Sequence, residues 1–191
     1  MDHFVCKGQL FFSTGPNHCQ CIPNGFLVCT GGICQGAFPV LPDVYRDLPL
    51  LDFGDQLILP GLVDLHLHGP QFAYRGLGMD LELLDWLHPH TFPEEAKFQA
   101  LAYAEPAYRQ FTDALKHSFT TRAAVFATAH TEATLLFMDL LDESGLITYV
   151  GRVNMDRDCP KTLQEPDPQA ALAETRRWLN ATQGRYHRTR P

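Results

Sequence analysis

The first 59 residues alternate short apolar runs with turn residues. The apolar runs are Phe4-Val5, Leu10-Phe11-Phe12 and Phe26-Leu27-Val28-Cys29, and the turns between and after them are Gly15-Pro16-Asn17 and Gly31-Gly32. Short apolar runs bounded in this way are typical of strands and hairpins. Residues 1–56 are therefore predicted to form a small N-terminal β domain, antiparallel and of β-sandwich type.

After Asp55 the pattern changes to strands that alternate with helices. Strands are predicted at 58–68, 120–128 and 147–153. Helices are predicted at 80–87, at 132–143 after a Thr131 cap, and at 167–184. A longer helix is predicted to start at Pro93 and to bend or restart at Pro106. This alternation predicts an α/β fold with a parallel sheet. Because a complete (β/α)8 barrel takes about 250 residues, residues 57–191 are expected to form its truncated first part, about three βα units. Residues 186–191 should then lead into a fourth strand that is absent.

Composition and charge narrow the possible functions. A chain of 191 residues that is 45% hydrophobic and 19% charged should be globular. The net charge of −7 is not typical of a protein that binds nucleic acid, which usually has a basic surface. No signal peptide or membrane span is evident. The expected partner is a small molecule in the cytoplasm, where the six cysteines should remain free thiols.

The strongest candidate for chemistry is the pair His66 and His68. Residues two apart on a strand point to the same face, so both imidazoles should lie on one side, with Leu65 and Leu67 opposite. Such a pair can share a zinc ion at about 2.1 Å from each nitrogen. A bare His-x-His is common on exposed strands, but this one ends an apolar strand at the edge where βα barrels place their chemistry.

Other polar residues near the predicted strand ends leave alternatives open. Asp64 is interpreted as structural in preference to orienting a ligand histidine. His130 either touches groups around the metal or merely precedes the Thr131 cap. The remaining candidates are His88 and His90, interpreted as surface residues, and Asn154 and Asp156, which end the third strand without an assigned role.

Several of these motifs together resemble a known family. Residues 59–68 resemble the first barrel strand of the amidohydrolase superfamily. Residues 69–74, 79–87 and 91–95 are similar to guanine deaminases within it, and further matches lie at 126–131 and 150–156. The resemblance covers about residues 56 to 191.

The resemblance implies zinc-dependent hydrolytic deamination of guanine to xanthine and ammonia, a step of purine catabolism, by a protein that forms a homodimer when complete. It makes His66 and His68 metal ligands and places Gln71 in the purine pocket, where an amide offers both a donor and an acceptor. The other ligands and the proton-shuttling glutamate would come from later strands, so a fragment inactive alone is expected. The alternatives are another amidohydrolase acting on a different heterocycle or amide, and a noncatalytic chain.

Overall fold

The computed structural model describes residues 2–191, which divide into two compact units. The first unit extends to Pro60, and the second comprises Gly61–Pro191. Of the helices formed by the described residues, none is long and apolar enough to cross a bilayer.

The first unit is a single four-stranded sheet. Its strands are β1 (Phe4–Gly15), β2 (His18–Thr30), β3 (Ile33–Phe38) and β4 (Leu50–Ile58), in the order β3-β2-β1-β4. The two hairpins are antiparallel as predicted, and Val5 and Val28, which pair across the β1–β2 hairpin, are fully buried.

Two features of the first unit differ from the sequence prediction. β4 pairs with β1 in parallel. Residues 39–49 connect β3 to the opposite edge of β1. Such a crossover gives parallel pairing, whereas a tight turn gives antiparallel pairing. The four strands also belong to one hydrogen-bonded sheet, where the sequence predicted a β-sandwich type. β4 itself runs through the predicted boundary at residue 56.

The second unit has a parallel sheet with its strands in sequence order, which confirms the predicted α/β fold. The strands are β5 (Leu62–His68), β6 (Thr120–Phe126), β7 (Ile147–Gly151) and β8 (Thr189–Arg190). The helices are α1 (Leu83–Trp86), α2 (Phe92–Ala96), α3 (Leu101–Lys116), α4 (Thr131–Glu143) and α5 (Pro168–Thr182). A 3-10 turn, Pro70–Tyr74, follows β5 directly.

The expectation that the fourth strand is absent was wrong. Thr189 and Arg190 pair in parallel with Thr148 and Tyr149. The carboxylate of Asp142 accepts backbone N–H bonds from residues 187, 188 and 189 at 3.0, 2.7 and 2.9 Å. These contacts hold the last residues against β7, so the sheet edge lies at β8.

Three helix boundaries also differ from prediction. α1 begins at Leu83 and has no side-chain cap. Pro106 lies inside α3, a single helix that begins at Leu101, so the helix does not restart at the proline. Thr131 is the first residue of α4 instead of its cap, because its hydroxyl donates to Glu174 at 2.8 Å.

Helices α3 and α4 form the core of the second unit against the sheet. The rings of Tyr108 and Phe137 stack with centroids 4.0 Å apart, and both side chains are fully buried. Gly69 lies directly against this pair: a Cβ at that position would be 2.6 Å from the Phe137 ring. The turn after β5 is therefore fixed by the close approach of backbone to aromatic core.

A buried carboxyl group lies beside this core. Glu95 of α2 is 5% exposed, and burial raises its pKa to about 7. It faces the phenols of Tyr74 and Tyr108, whose pKa values are raised by burial first and then by Glu95. Glu94, its exposed neighbour, is instead bonded to Lys97 and Tyr103.

Glu95 should make stability fall as the pH rises. Its pKa in the folded protein lies above the ordinary value of 4.5. The contribution of protonated Glu95 to the free energy of unfolding is therefore fully present below about pH 4.5 and is lost as the pH passes 7. Such a pKa shift changes the free energy of unfolding by about 3 kcal/mol. Glu95→Gln should flatten this loss in urea unfolding measured between pH 5 and pH 8. Glu105→Gln, at an exposed ion pair, is the control. An equal pH dependence in wild type and Glu95→Gln would refute the assignment.

Candidate metal and substrate site

The two histidines of β5 lie on the same side of the sheet, as the strand pattern predicts. The Nε2 atoms of His66 and His68 are 3.3 Å apart, and their ring centroids are 5.0 Å apart. Two ligands of a tetrahedral zinc at about 2.1 Å would have nitrogens separated by about 3.4 Å. The observed separation therefore fits a shared ion.

A β-bulge places this pair. Asp64 pairs with Ala123 and Leu67 pairs with Val125, so two residues of β5, Leu65 and His66, lie opposite one residue of β6. The Asp64 carboxylate accepts a hydrogen bond from the His66 backbone N–H at 3.0 Å and spans the bulge. Asp64 thus has the structural role that was favoured from sequence.

The bulge changes one expectation about the strand. Leu67 packs against the helical core as predicted, but Leu65 does not share its face. Leu65 is 78% exposed and lines the same open groove as His66, because the extra residue interrupts the alternation of faces.

Phe126 supports both imidazoles from the neighbouring strand. Its ring stacks on His68 at 4.9 Å and meets His66 edge-on at 5.3 Å. Burial, and then the neighbouring His66, lower the pKa of His68, which favours the neutral imidazole that binds metals. Sequence reasoning missed Phe126, since an aromatic residue at a strand end has no distinguishing pattern.

Gln71 lies in one cavity with the histidine pair. The cavity has a volume of about 520 Å³, within the usual range for small-molecule sites. Its lining includes His66, His68, Gln71, Phe72, Arg75 and Trp86. Arg75 is held over the Phe72 ring at 3.8 Å, and Trp86 donates its indole N–H to the Leu77 carbonyl at 2.8 Å. Sequence reasoning assigned no role in the cavity to Arg75 or Trp86.

A second polar cluster lies at the ends of β6 and β7. Arg152, 8% exposed, pairs with Glu165 and donates to Asn154 at 2.6 Å. Glu165 also accepts the Met155 backbone N–H at 2.8 Å. The Asn154 side chain therefore orders the connection after β7, and this cluster fixes the chain beyond the strand.

The remaining candidates fall outside the histidine cavity. The ring of His130 lies near Arg152, and its pKa is lowered by burial first and by Arg152 second. Asp156 pairs with Arg157 at 3.0 Å. His88 and His90 lie in a π-helical turn, Leu87–Thr91, where residues two apart do not share a face.

Comparison with known proteins identifies the family. A sequence profile described as the amidohydrolase family matches residues 57–184. The chain belongs to the amidohydrolase family. Among its relatives, the guanine deaminases of Rattus norvegicus and Homo sapiens are each 36% identical over 137 residues, 71% of this chain. That of Escherichia coli is 35% identical over 123 residues, 64% of the chain.

Solved structures extend the similarity to the fold of nearly the whole chain. A guanine deaminase from C. acetobutylicum, with guanine bound in its active site, has a TM-score of 0.93 at 36% identity and matches 99% of this chain. A triazine hydrolase at 15% identity shares the fold alone, with a TM-score of 0.72. This amidohydrolase chain spans 30% of the rat and human relatives and 45% of the C. acetobutylicum chain.

The close approach at Gly69 gives a prediction for this amidohydrolase. Gly69→Ala should destabilise the fold by about 1–3 kcal/mol, because the new methyl group collides with Phe137. Urea unfolding measures the change. In Gly151→Ala, the methyl group would make only ordinary contact, at 3.8 Å from Phe126, so that variant should unfold like wild type. Wild-type stability in Gly69→Ala would contradict the packing argument.

Proposed function

We propose that this chain forms the histidine-bearing part of a zinc-dependent guanine deaminase, which converts guanine to xanthine and ammonia. The observation that carries the proposal is the single cavity containing His66, His68 and Gln71. The guanine deaminases at about 35% identity support the substrate class. Its place in purine catabolism, its cytoplasmic location and a homodimeric assembly remain predictions.

His66 and His68 would hold the zinc ion. Their Nε2 separation of 3.3 Å suits two adjacent ligands, and the lowered pKa of His68 keeps a lone pair available near neutral pH. When bound, zinc lowers the pKa of water towards 7, which supplies a hydroxide nucleophile. A catalytic zinc normally keeps three protein ligands, and residues 2–191 contain no group of three or more candidate ligands.

Gln71 would bind the edge of the purine. It follows His68 by three residues, and its amide presents a donor and an acceptor side by side. The 3-10 turn that carries it, Pro70–Tyr74, is anchored by Gly69, whose N–H donates to the Phe126 carbonyl at 2.9 Å. The backbone of this turn therefore has a fixed position relative to β5. The aromatic wall of Phe72 and Trp86 suits a flat heterocycle.

The alternative is an amidohydrolase for another heterocycle or amide. It would keep His66 and His68 but would not need an amide at the position of Gln71. Substrate comparison separates the two, since a site built to bond a polar edge rejects analogues that lack that edge.

The central test compares two proteins. One is the 191-residue chain, and the other joins it to the part of the C. acetobutylicum enzyme that follows the matched region. With added zinc, the joined protein should form xanthine from guanine and the 191-residue chain should not, because missing acid–base groups alone cost about 10²- to 10⁴-fold. Turnover by the 191-residue chain, or turnover of another heterocycle in preference to guanine, would overturn the proposal.

Matched variants of the joined protein test the metal assignment. His66→Ala and His68→Ala should each lose bound zinc, measured by elemental analysis, together with activity. The control replaces the other His-x-His pair, His88 and His90, by alanine and should retain both. Full zinc content in His68→Ala would show that the pair is not the ligand set.

Gln71 gives a separate prediction in the joined protein. Gln71→Ala should lower kcat/KM for guanine by about 5- to 160-fold, the usual consequence of losing one polar contact worth about 1–3 kcal/mol. Zinc content should not change, because the amide is not a ligand. Unchanged kcat/KM would remove Gln71 from the pocket, and loss of zinc would show that it acts on the metal site instead.

A further inference from the structure

The hairpin at the edge of the first unit brings two cysteines directly opposite each other. Cys29 of β2 pairs with Cys34 of β3. Both thiols are free; Cys29 is partly buried and Cys34 is exposed. Thr30 and Ile33 flank the turn, and Cys29 and Cys34 form the next pair along the ladder.

The turn determines the geometry of this pair. Gly31 and Gly32 have φ values of +59° and +73°, as a two-residue type I′ hairpin requires. The residues flanking such a turn form the hydrogen-bonded pair, so the next pair along is of the closer, non-hydrogen-bonded kind. Its Cα atoms are separated by about 4.5 Å, and disulfides span about 4.4–6.8 Å.

The other cysteines are less well placed. Cys6 lies opposite Leu27, diagonal to Cys29, and diagonal neighbours are about 7–8 Å apart. Cys19 lies opposite Ser13 and Cys21 opposite Phe11, so neither has a thiol across the ladder. Burial first, and then Cys29, also raise the pKa of Cys6, which lowers its thiolate fraction.

We propose that Cys29 and Cys34 form a redox-modification site, which a low-molecular-weight disulfide such as glutathione disulfide oxidises to a cross-strand disulfide. The exposed Cys34 thiolate attacks one glutathione sulfur, the glutathione disulfide bond breaks, and one glutathione thiolate leaves. The Cys29 thiolate then attacks the Cys34 sulfur and displaces the second glutathione. Two electrons pass to glutathione, and the two thiol protons end on the released glutathiones near neutral pH. The bond would link β3, an edge strand, to β2.

The test uses the reduced chain incubated with excess glutathione disulfide and quenched with acid. The thiol count should fall by two from six, with a mass loss of two hydrogen atoms and no glutathione retained at this pair. Tandem mass spectrometry should locate the bond between Cys29 and Cys34. The reaction should be faster in buffer than in urea, because the folded hairpin aligns the thiols.

Single variants separate the outcomes. Cys29→Ser and Cys34→Ser should each abolish the loss of two hydrogens, whereas Cys19→Ser combined with Cys21→Ser should retain it. Circular dichroism verifies that each variant is folded. Glutathione retained on Cys34 in the wild-type chain, a bond to Cys6, or equal rates in buffer and urea would overturn the proposal.

Discussion

One extra residue in β5 determines which side chains lie beside the histidine pair. The bulge opposite β6 lets Leu67 face the helical core while His66 and His68 both face the other side, and the Asp64 carboxylate closes it through the His66 N–H. An unbroken ladder would also put the two histidines on one face, but it would turn Leu65 towards the core. Because of the bulge, Leu65 is exposed in the groove beside His66. Leu67, which lies between the two histidines in the sequence, packs against the core.

Charged groups hold the start of β8 and the connection that follows β7. Burial disfavours the charged form of Asp142, yet backbone N–H bonds from residues 187–189 keep its pKa below the ordinary value. Arg152 and Glu165 order the connection after β7 in the same way. Breaking one partner of such a buried pair leaves an uncompensated charge, which typically costs about 3–5 kcal/mol. These bonds give β8 and the β7–α5 connection fixed positions although both contain few apolar residues.

The sequence predicted those elements whose signals are local. β6 begins at Thr120 as expected, Asp167 caps α5 by accepting the Ala170 N–H at 2.8 Å, and Gly145 ends α4 with φ of +82°. Features that depend on distant contacts were missed: the parallel β4, the two-residue β8, and the hydroxyl of Thr131 bonded to Glu174 across 43 residues. Within the site, the histidine pair followed from strand periodicity. Phe126, Arg75 and Trp86 were not predicted, since only the fold brings them beside the histidine pair.

Residues 66–71 bring the two imidazoles and Gln71 together in a single short segment. The imidazoles are fixed by the bulge and by Phe126, and the turn that carries Gln71 is fixed by Gly69 against Phe137. The Gly69 N–H reaches the carbonyl of the same Phe126 whose ring stacks on His68. The backbone and side chain of one residue therefore hold both halves of the segment. A displacement of Phe126 would move the imidazoles and the turn that carries Gln71 together, so their positions are coupled through β6.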